Sequence, residues 1–195
     1  MSKKWIGIII VSALFLLVGC GKESVENKKI IDDKEVISSK FTGKWKLESV
    51  SVGASDGSDM KDTGLASKMS VDLDIDADGN VKELFIDDEV AIINSYKLKQ
   101  KDGDKYQYYG PVVSKKVYGH ETESEKENVQ KVLKMLEAQD GIEITKSEQK
   151  GNEYRVDTKE KRDYVLSMEL ESEKLVLKKV DDKENSLIQE TYKKN

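Results

Sequence analysis

The sequence predicts a mainly β domain: an antiparallel meander of about ten strands, closed into a barrel or packed as a sandwich, with one amphipathic α-helix. Three observations carry this. Met69, Val71, Leu73 and Ile75 alternate with Ser70, Asp72, Asp74 and Asp76, the period-two pattern of a strand with one buried and one wetted face. Asp78-Gly79 then supplies a tight turn into a returning run at 81–86, and similar short runs recur, separated by turn residues. Only one stretch, 124–139, has helical rather than alternating spacing.

The first forty residues stand apart. Lys3 and Lys4 precede an uncharged, strongly apolar run over 6–18, which stops at Gly19-Cys20 before Lys22 and Glu23. A permanent membrane span needs about 20 apolar residues, so this layout reads as a cleaved export signal over 1–19. Leu17-Val18-Gly19-Cys20 matches the lipobox, and on it the chain resembles the bacterial lipoproteins. That resemblance implies a Cys20 thiol joined to diacylglycerol, cleavage just before it, and palmitate-type acyl chains holding the protein at the outer, extracytoplasmic face of the cell membrane. Two chains suffice for stable anchoring where one is marginal. Residues 20–40 read as the lipidated cysteine and a charged, flexible tether, with a short helix around 30–37; twenty such residues reach on the order of 25 Å.

Residues 41–195 form one folded domain. After an opening strand at 44–52 come runs at 81–86, 90–99, 105–109, 112–118, 142–146, 154–157, 164–171, 174–180 and 186–192. Turns at Lys101-Asp102-Gly103, Lys150-Gly151-Asn152 and Asp181-Asp182-Lys183 join several of them. Closure is the natural end of such a meander, because it removes exposed strand edges. In 124–139, Ser124 precedes Glu127 as in a capping box, Val129, Val132, Leu133 and Leu136 share one face, and Asp140-Gly141 ends the element. That stripe is the width a helix docked on a core requires.

Phe41-Thr42-Gly43-Lys44-Trp45-Lys46-Leu47 resembles the start of lipocalin-like, fatty-acid-binding-like (calycin) proteins, in which Gly-x-Trp opens the first strand. The weakly patterned stretch 53–68, the Asp78-Gly79 hairpin and the closing run Ile188-Gln189-Glu190-Thr191-Tyr192 follow in the order of such domains. The resemblance implies an up-and-down β-barrel with Gly43 and Trp45 as structural motif, Trp45 packed across its floor, and a cavity above that takes an apolar small molecule. Arg162-Asp163-Tyr164 is similar to a second motif of that family. The mid-domain helix departs from its pattern.

Composition narrows function. Lys and Arg number 33 against 38 Asp and Glu, a net charge of −5; loss of Lys3 and Lys4 with the signal makes it −7. Acid and base are interleaved without a basic stripe, which speaks against nucleic-acid binding. Cys20 is the only cysteine, so neither an internal disulfide nor a thiolate metal cluster can form. No phosphate loop or nucleophile motif is present, and no cofactor or enzymatic activity is expected.

Four tyrosines, Tyr96, Tyr106, Tyr108 and Tyr164, could line a ligand cavity, with phenol groups orienting a polar end; strands also favour tyrosine for packing alone. Asp74-x-Asp76-x-Asp78-Gly79 copies the start of a calcium loop, but its twelfth position is Phe85 in place of glutamate. A hairpin accounts for the same residues. His120 stands alone beside Glu121 and reads as a loop residue. The sequence therefore points to a monomeric, membrane-anchored, non-enzymatic binder of a small apolar or amphipathic ligand. The alternative is a surface module with a filled core that contacts another envelope protein.

Overall fold

A computed structural model describes residues 37–162, 165–181 and 185–195. The export signal, Cys20, the tether up to residue 36 and Tyr164 lie outside the described residues. The elements in chain order are β1 (Gly43–Ala54), β2 (Lys61–Asp62), a 3-10 turn (Leu65–Ser67), β3 (Ser70–Ile75), β4 (Asn80–Ile86), β5 (Val90–Asp102), β6 (Lys105–Tyr108) and β7 (Val112–Gly119). They continue with α1 (Glu123–Glu137), β8 (Ile142–Lys150), β9 (Glu153–Glu160), β10 (Val165–Glu171), β11 (Lys174–Asp181) and β12 (Ser186–Lys194). Among the described residues no helix is long and apolar enough to cross a membrane.

The meander closes. Neighbours run β4-β3-β1-β12-β11-β10-β6-β5, and β4 pairs back onto β5, which makes a closed eight-strand antiparallel β-barrel with extra strands and one helix. The class is that of the lipocalin-like up-and-down barrel. The closing seam joins β1 to β12, with Trp45 opposite Lys194 and Val52 opposite Ile188.

Two walls of the barrel are long strands broken in the middle. β6 and β7 both lie on the same edge of β5, Tyr108 opposite Leu98 and Val113 opposite Ser95. Tyr109-Gly110-Pro111 interrupts them, with Gly110 at φ 84° and Pro111 lacking the N–H a ladder needs. β9 and β10 follow the same path, Glu160 opposite Val112 and Val165 opposite Gln107. Equal spacing on both sides of the gap keeps the register across the break. Below it β10 pairs with β11, and above it β9 pairs with β8 instead. The wall therefore divides at its upper end, where α1 packs against β8.

The lower end is plugged by residues 37–42. Ile37 and Phe41 are fully buried, so packed residues are present ahead of the expected boundary at 41. Trp45 Nε1 donates to the Phe41 carbonyl at 2.9 Å, and the Phe41 ring meets Tyr106 edge-on at 6.0 Å. Lys194 lies over the Trp45 ring at 4.2 Å and donates to the Thr42 carbonyl at 2.7 Å. Gly43 lets that lysine in: at φ +118° its missing Cβ would stand 2.9 Å from the Lys194 ammonium. Gly79 does the same for the floor, since a Cβ there would fall 2.5 Å from the Leu98 carbonyl.

The helix starts slightly earlier than the sequence suggests. Its cap is Thr122, which accepts from Glu125 N while the Glu125 carboxylate accepts from Thr122 N. The box is thus Thr122 and Glu125, two residues ahead of the expected Ser124 and Glu127, because the turn after β7 already ends at Glu121. Val129, Val132 and Leu136 are buried in the main core, and Gln130 Nε2 donates to the Tyr154 hydroxyl at 3.2 Å.

Candidate functional site: the polar interior of the barrel

Burial of an alternating strand should place apolar side chains inside, yet a band of polar ones runs across the inner wall. Glu83 on β4 faces Asn94 on β5, Asn94 faces Ser114 on β7, and Ser114 faces Thr158 on β9. All four are buried. Buried polar groups must be bonded or they destabilise the fold, and three of the four are: Ser114 Oγ donates to Asn94 Oδ1 at 2.7 Å, and Asn94 Nδ2 donates to Glu83 Oε2 at 3.1 Å. The other Glu83 oxygen accepts from the Tyr96 hydroxyl. Among the described residues Thr158 Oγ1 has no partner.

Charged pairs flank this band. Arg162 Nε and Nη2 donate to the two oxygens of Glu160 at 2.9 and 3.0 Å, and the guanidinium stands 5.6 Å from the centre of the Tyr108 ring. Across the interior, Glu190 accepts from Lys179 at 2.8 Å and from the Tyr192 hydroxyl at 3.1 Å. Burial, the charge of Glu83 and the neighbouring Tyr108 raise the Tyr96 phenol well above its ordinary range. Burial, with the carboxylates of Glu190 and Glu83, does the same to Tyr192. Both phenols therefore stay protonated and serve as donors.

Lys116 is the exception within this set. It lies on β7 two residues beyond Ser114 and faces inward, 9% exposed, and among the described residues it has no ion pair or hydrogen bond. Its row holds Ile92 on β5 and Val156 on β9. Burial pushes its ammonium down to about 8, with Glu160 opposing that shift and Arg162 adding to it. Glu160 offsets this only in part and makes no hydrogen bond to Lys116; its two oxygens accept from Arg162.

Of the tyrosines expected to line a cavity, Tyr96 and Tyr108 come together, ring centres 5.0 Å apart. Tyr106 sits apart, packed on Phe41 of the floor. Tyr118 faces Tyr154 in the row above Lys116. Arg162, from the motif Arg162-Asp163-Tyr164, is the buried partner of Glu160. His120 lies at the upper end, its ring 5.5 Å from Tyr154 and its Nε2 buried without a partner among the described residues.

The aspartates at 74, 76 and 78 build a hairpin. The Asp76 carboxylate accepts from Asp78 N and Asn80 N at 2.9 Å each and from Asn80 Nδ2 at 2.8 Å. Partial burial raises its carboxyl, but these bonds outweigh that and hold it below the usual aspartate value. Among the described residues no group of three or more His, Cys, Asp or Glu side chains is placed to hold a metal ion.

Sequence reasoning missed Glu83, Asn94, Ser114, Lys116, Thr158 and Glu160. A signal was present for Glu83, which falls in phase with Val81 and Phe85. A charged residue on the apolar phase of a strand marks an interior polar site.

Fold and interior together define a lipocalin-like β-barrel with a charged, hydrogen-bonded band in its centre. No family model, curated protein or solved structure matches the chain.

Proposed function

We propose that this protein is a lipid-anchored, extracytoplasmic lipoprotein that binds a small amphipathic ligand inside its barrel and performs no catalysis. The observation that carries the reading is the buried band itself. A closed eight-strand barrel can be filled by side chains alone or can hold one small ligand. A barrel selected only for stability gains more from apolar residues than from buried charges, since replacing buried ion pairs by packed apolar groups is often neutral or stabilising. Retaining Arg162, Glu160, Lys179, Glu190, Glu83 and Lys116 inside is a cost that recognition of a polar head would explain.

A soluble test is available, because the barrel strands and the helix of the described residues lie within 37–195. Residues 21–195 titrated with a fluorescent fatty-acid analogue should bind it saturably, near one per chain, and release it to extracted envelope lipids. A folded domain that binds none would favour the second reading, a protein-interaction module. That reading draws on β8, whose side chains are largely exposed and whose strand pairs only with β9 among the described residues.

Anchoring is tested separately. Cys20→Ala should abolish incorporation of labelled acyl chains and leave the protein unprocessed or released; retained label would contradict the anchor.

A further inference from the structure

Among the described residues the interior band has an inward cation without an ion pair or hydrogen bond, Lys116, and a buried hydroxyl without a partner, Thr158, and they are neighbours. Lys116 is opposite Val156 in the β7–β9 ladder, and Thr158 is the next residue on the same face of β9. Diagonal neighbours of this kind lie about 7–8 Å apart, a gap that a long ammonium side chain and a short hydroxyl can close around a small anion. Among the described residues Thr158 Oγ1 is buried without a partner and so forfeits hydration without a replacement bond, while the inward Lys116 side chain retains only 9% of its exposure.

We propose that Lys116 and Thr158 form an anion-receiving subsite in the upper half of the barrel, which takes the carboxylate or phosphate of an amphipathic ligand. This rests on the ligand-binding reading above and specifies the charge and place of the ligand's head. Nearby charges agree in sign. Arg162 and Glu160 cancel as a bidentate pair, so Lys116 leaves this part of the wall with one net positive charge. Ile92 on β5, Tyr118 on the same strand β7 and Tyr154 on β9 are uncharged; the next charge is the Glu83 carboxylate, one strand further on β4 and already bonded to Asn94 and Tyr96. On α1 the side chain that reaches Tyr154 is the neutral Gln130. The apolar part of the ligand would lie against the buried leucine, isoleucine and methionine side chains below.

The arrangement has a proton signature. Free Lys116 loses its proton near pH 8, whereas an anion beside it favours the ammonium. Binding at pH 8.5 therefore draws protons from solution, up to about three-quarters of one per ligand, and affinity for anions falls as pH rises through this range.

The test is calorimetry of residues 21–195 with dodecanoate, dodecyl phosphate and dodecanol, each below micelle formation, at pH 7 and at pH 8.5 in two buffers of different ionisation enthalpy. One or both anions should bind at least about tenfold more tightly than dodecanol, and the comparison between them tells carboxylate from phosphate. Lys116→Met should remove that preference, a loss of about tenfold to a hundredfold for the anion, together with the proton uptake, and leave dodecanol within about twofold. Thr158→Val should weaken the anion several-fold and spare dodecanol. Equal binding of dodecanol and both anions, or a preference that survives Lys116→Met, would overturn the subsite and leave the carrier reading standing. No binding of any of the three would overturn both.

Discussion

Arg162 holds both carboxylate oxygens of Glu160 inside the barrel, at 2.9 and 3.0 Å, with the two side chains 2% and 9% exposed. This fork sits at the break between β9 and β10, where the wall changes partner from β8 to β11. Planar, bidentate geometry suits an arginine better than a lysine. The pair shares the Glu160 charge between Arg162 and Lys116, so that Glu160 only partly offsets the burial of the lysine.

Breaking the fork one side at a time should be severe. Arg162→Met or Glu160→Leu alone strands a buried charge and is expected to destabilise by about 3–5 kcal/mol in urea unfolding. The double variant should recover much of that loss. Additive losses would mean that the two residues act independently.

Lys116 should make stability depend on alkaline pH. Its folded-state value, about 8, lies below the ordinary 10.5. Between these the unfolded chain binds more protons than the folded one, so stability rises with pH from about 8 to 10.5 and the contribution is unfavourable below 8. Lys116→Met should abolish this rise and stabilise the free protein at pH 7, on the order of 2–3 kcal/mol. Chemical denaturation across that pH range measures it; a flat wild-type profile would contradict the burial of this ammonium.

Trp45 should be structural. Its ring is enclosed by the floor, bonded to the Phe41 carbonyl and covered by Lys194. Trp45→Ala is expected to lose about 3–5 kcal/mol, read as a lower midpoint in urea. Unchanged melting would remove it from the floor.

Asp76 should act through its turn and not through a metal. Asp76→Ala breaks three bonds that hold the β3–β4 hairpin and should cost about 1–3 kcal/mol. Because its carboxyl is held low, its contribution is present above the ordinary aspartate range and fades as pH falls through the folded value. Millimolar calcium should leave the wild-type melting temperature unchanged. A rise reversed by chelator would restore the calcium loop.

Local pattern carried much of this fold. Alternation at 69–76 marks β3 because one face meets the core and the other meets water, and Asp78-Gly79 marks its turn because only a residue without Cβ fits against the Leu98 carbonyl. Gly43-x-Trp45 was equally legible, and its glycine proves to be the place where Lys194 crosses. Closure was expected from the exposed edges it removes, but the pairings that achieve it were not legible. It depends on β1 meeting β12 and on two broken walls keeping register across Tyr109-Gly110-Pro111, and both are long-range pairings. The interior site was hidden for a different reason: Lys116 follows Lys115 in Val-Val-Ser-Lys-Lys-Val-Tyr, and only the observed phase tells which lysine faces inward.

The most direct test of the carrier account is native mass spectrometry of the full chain extracted from membranes in mild detergent. The account predicts, beyond the mass of the lipidated chain, one noncovalent anionic amphiphile per protein that is shed on collisional activation and absent from Lys116→Met. A wild-type chain that carries only its covalent lipid, under conditions that preserve its fold, would contradict it.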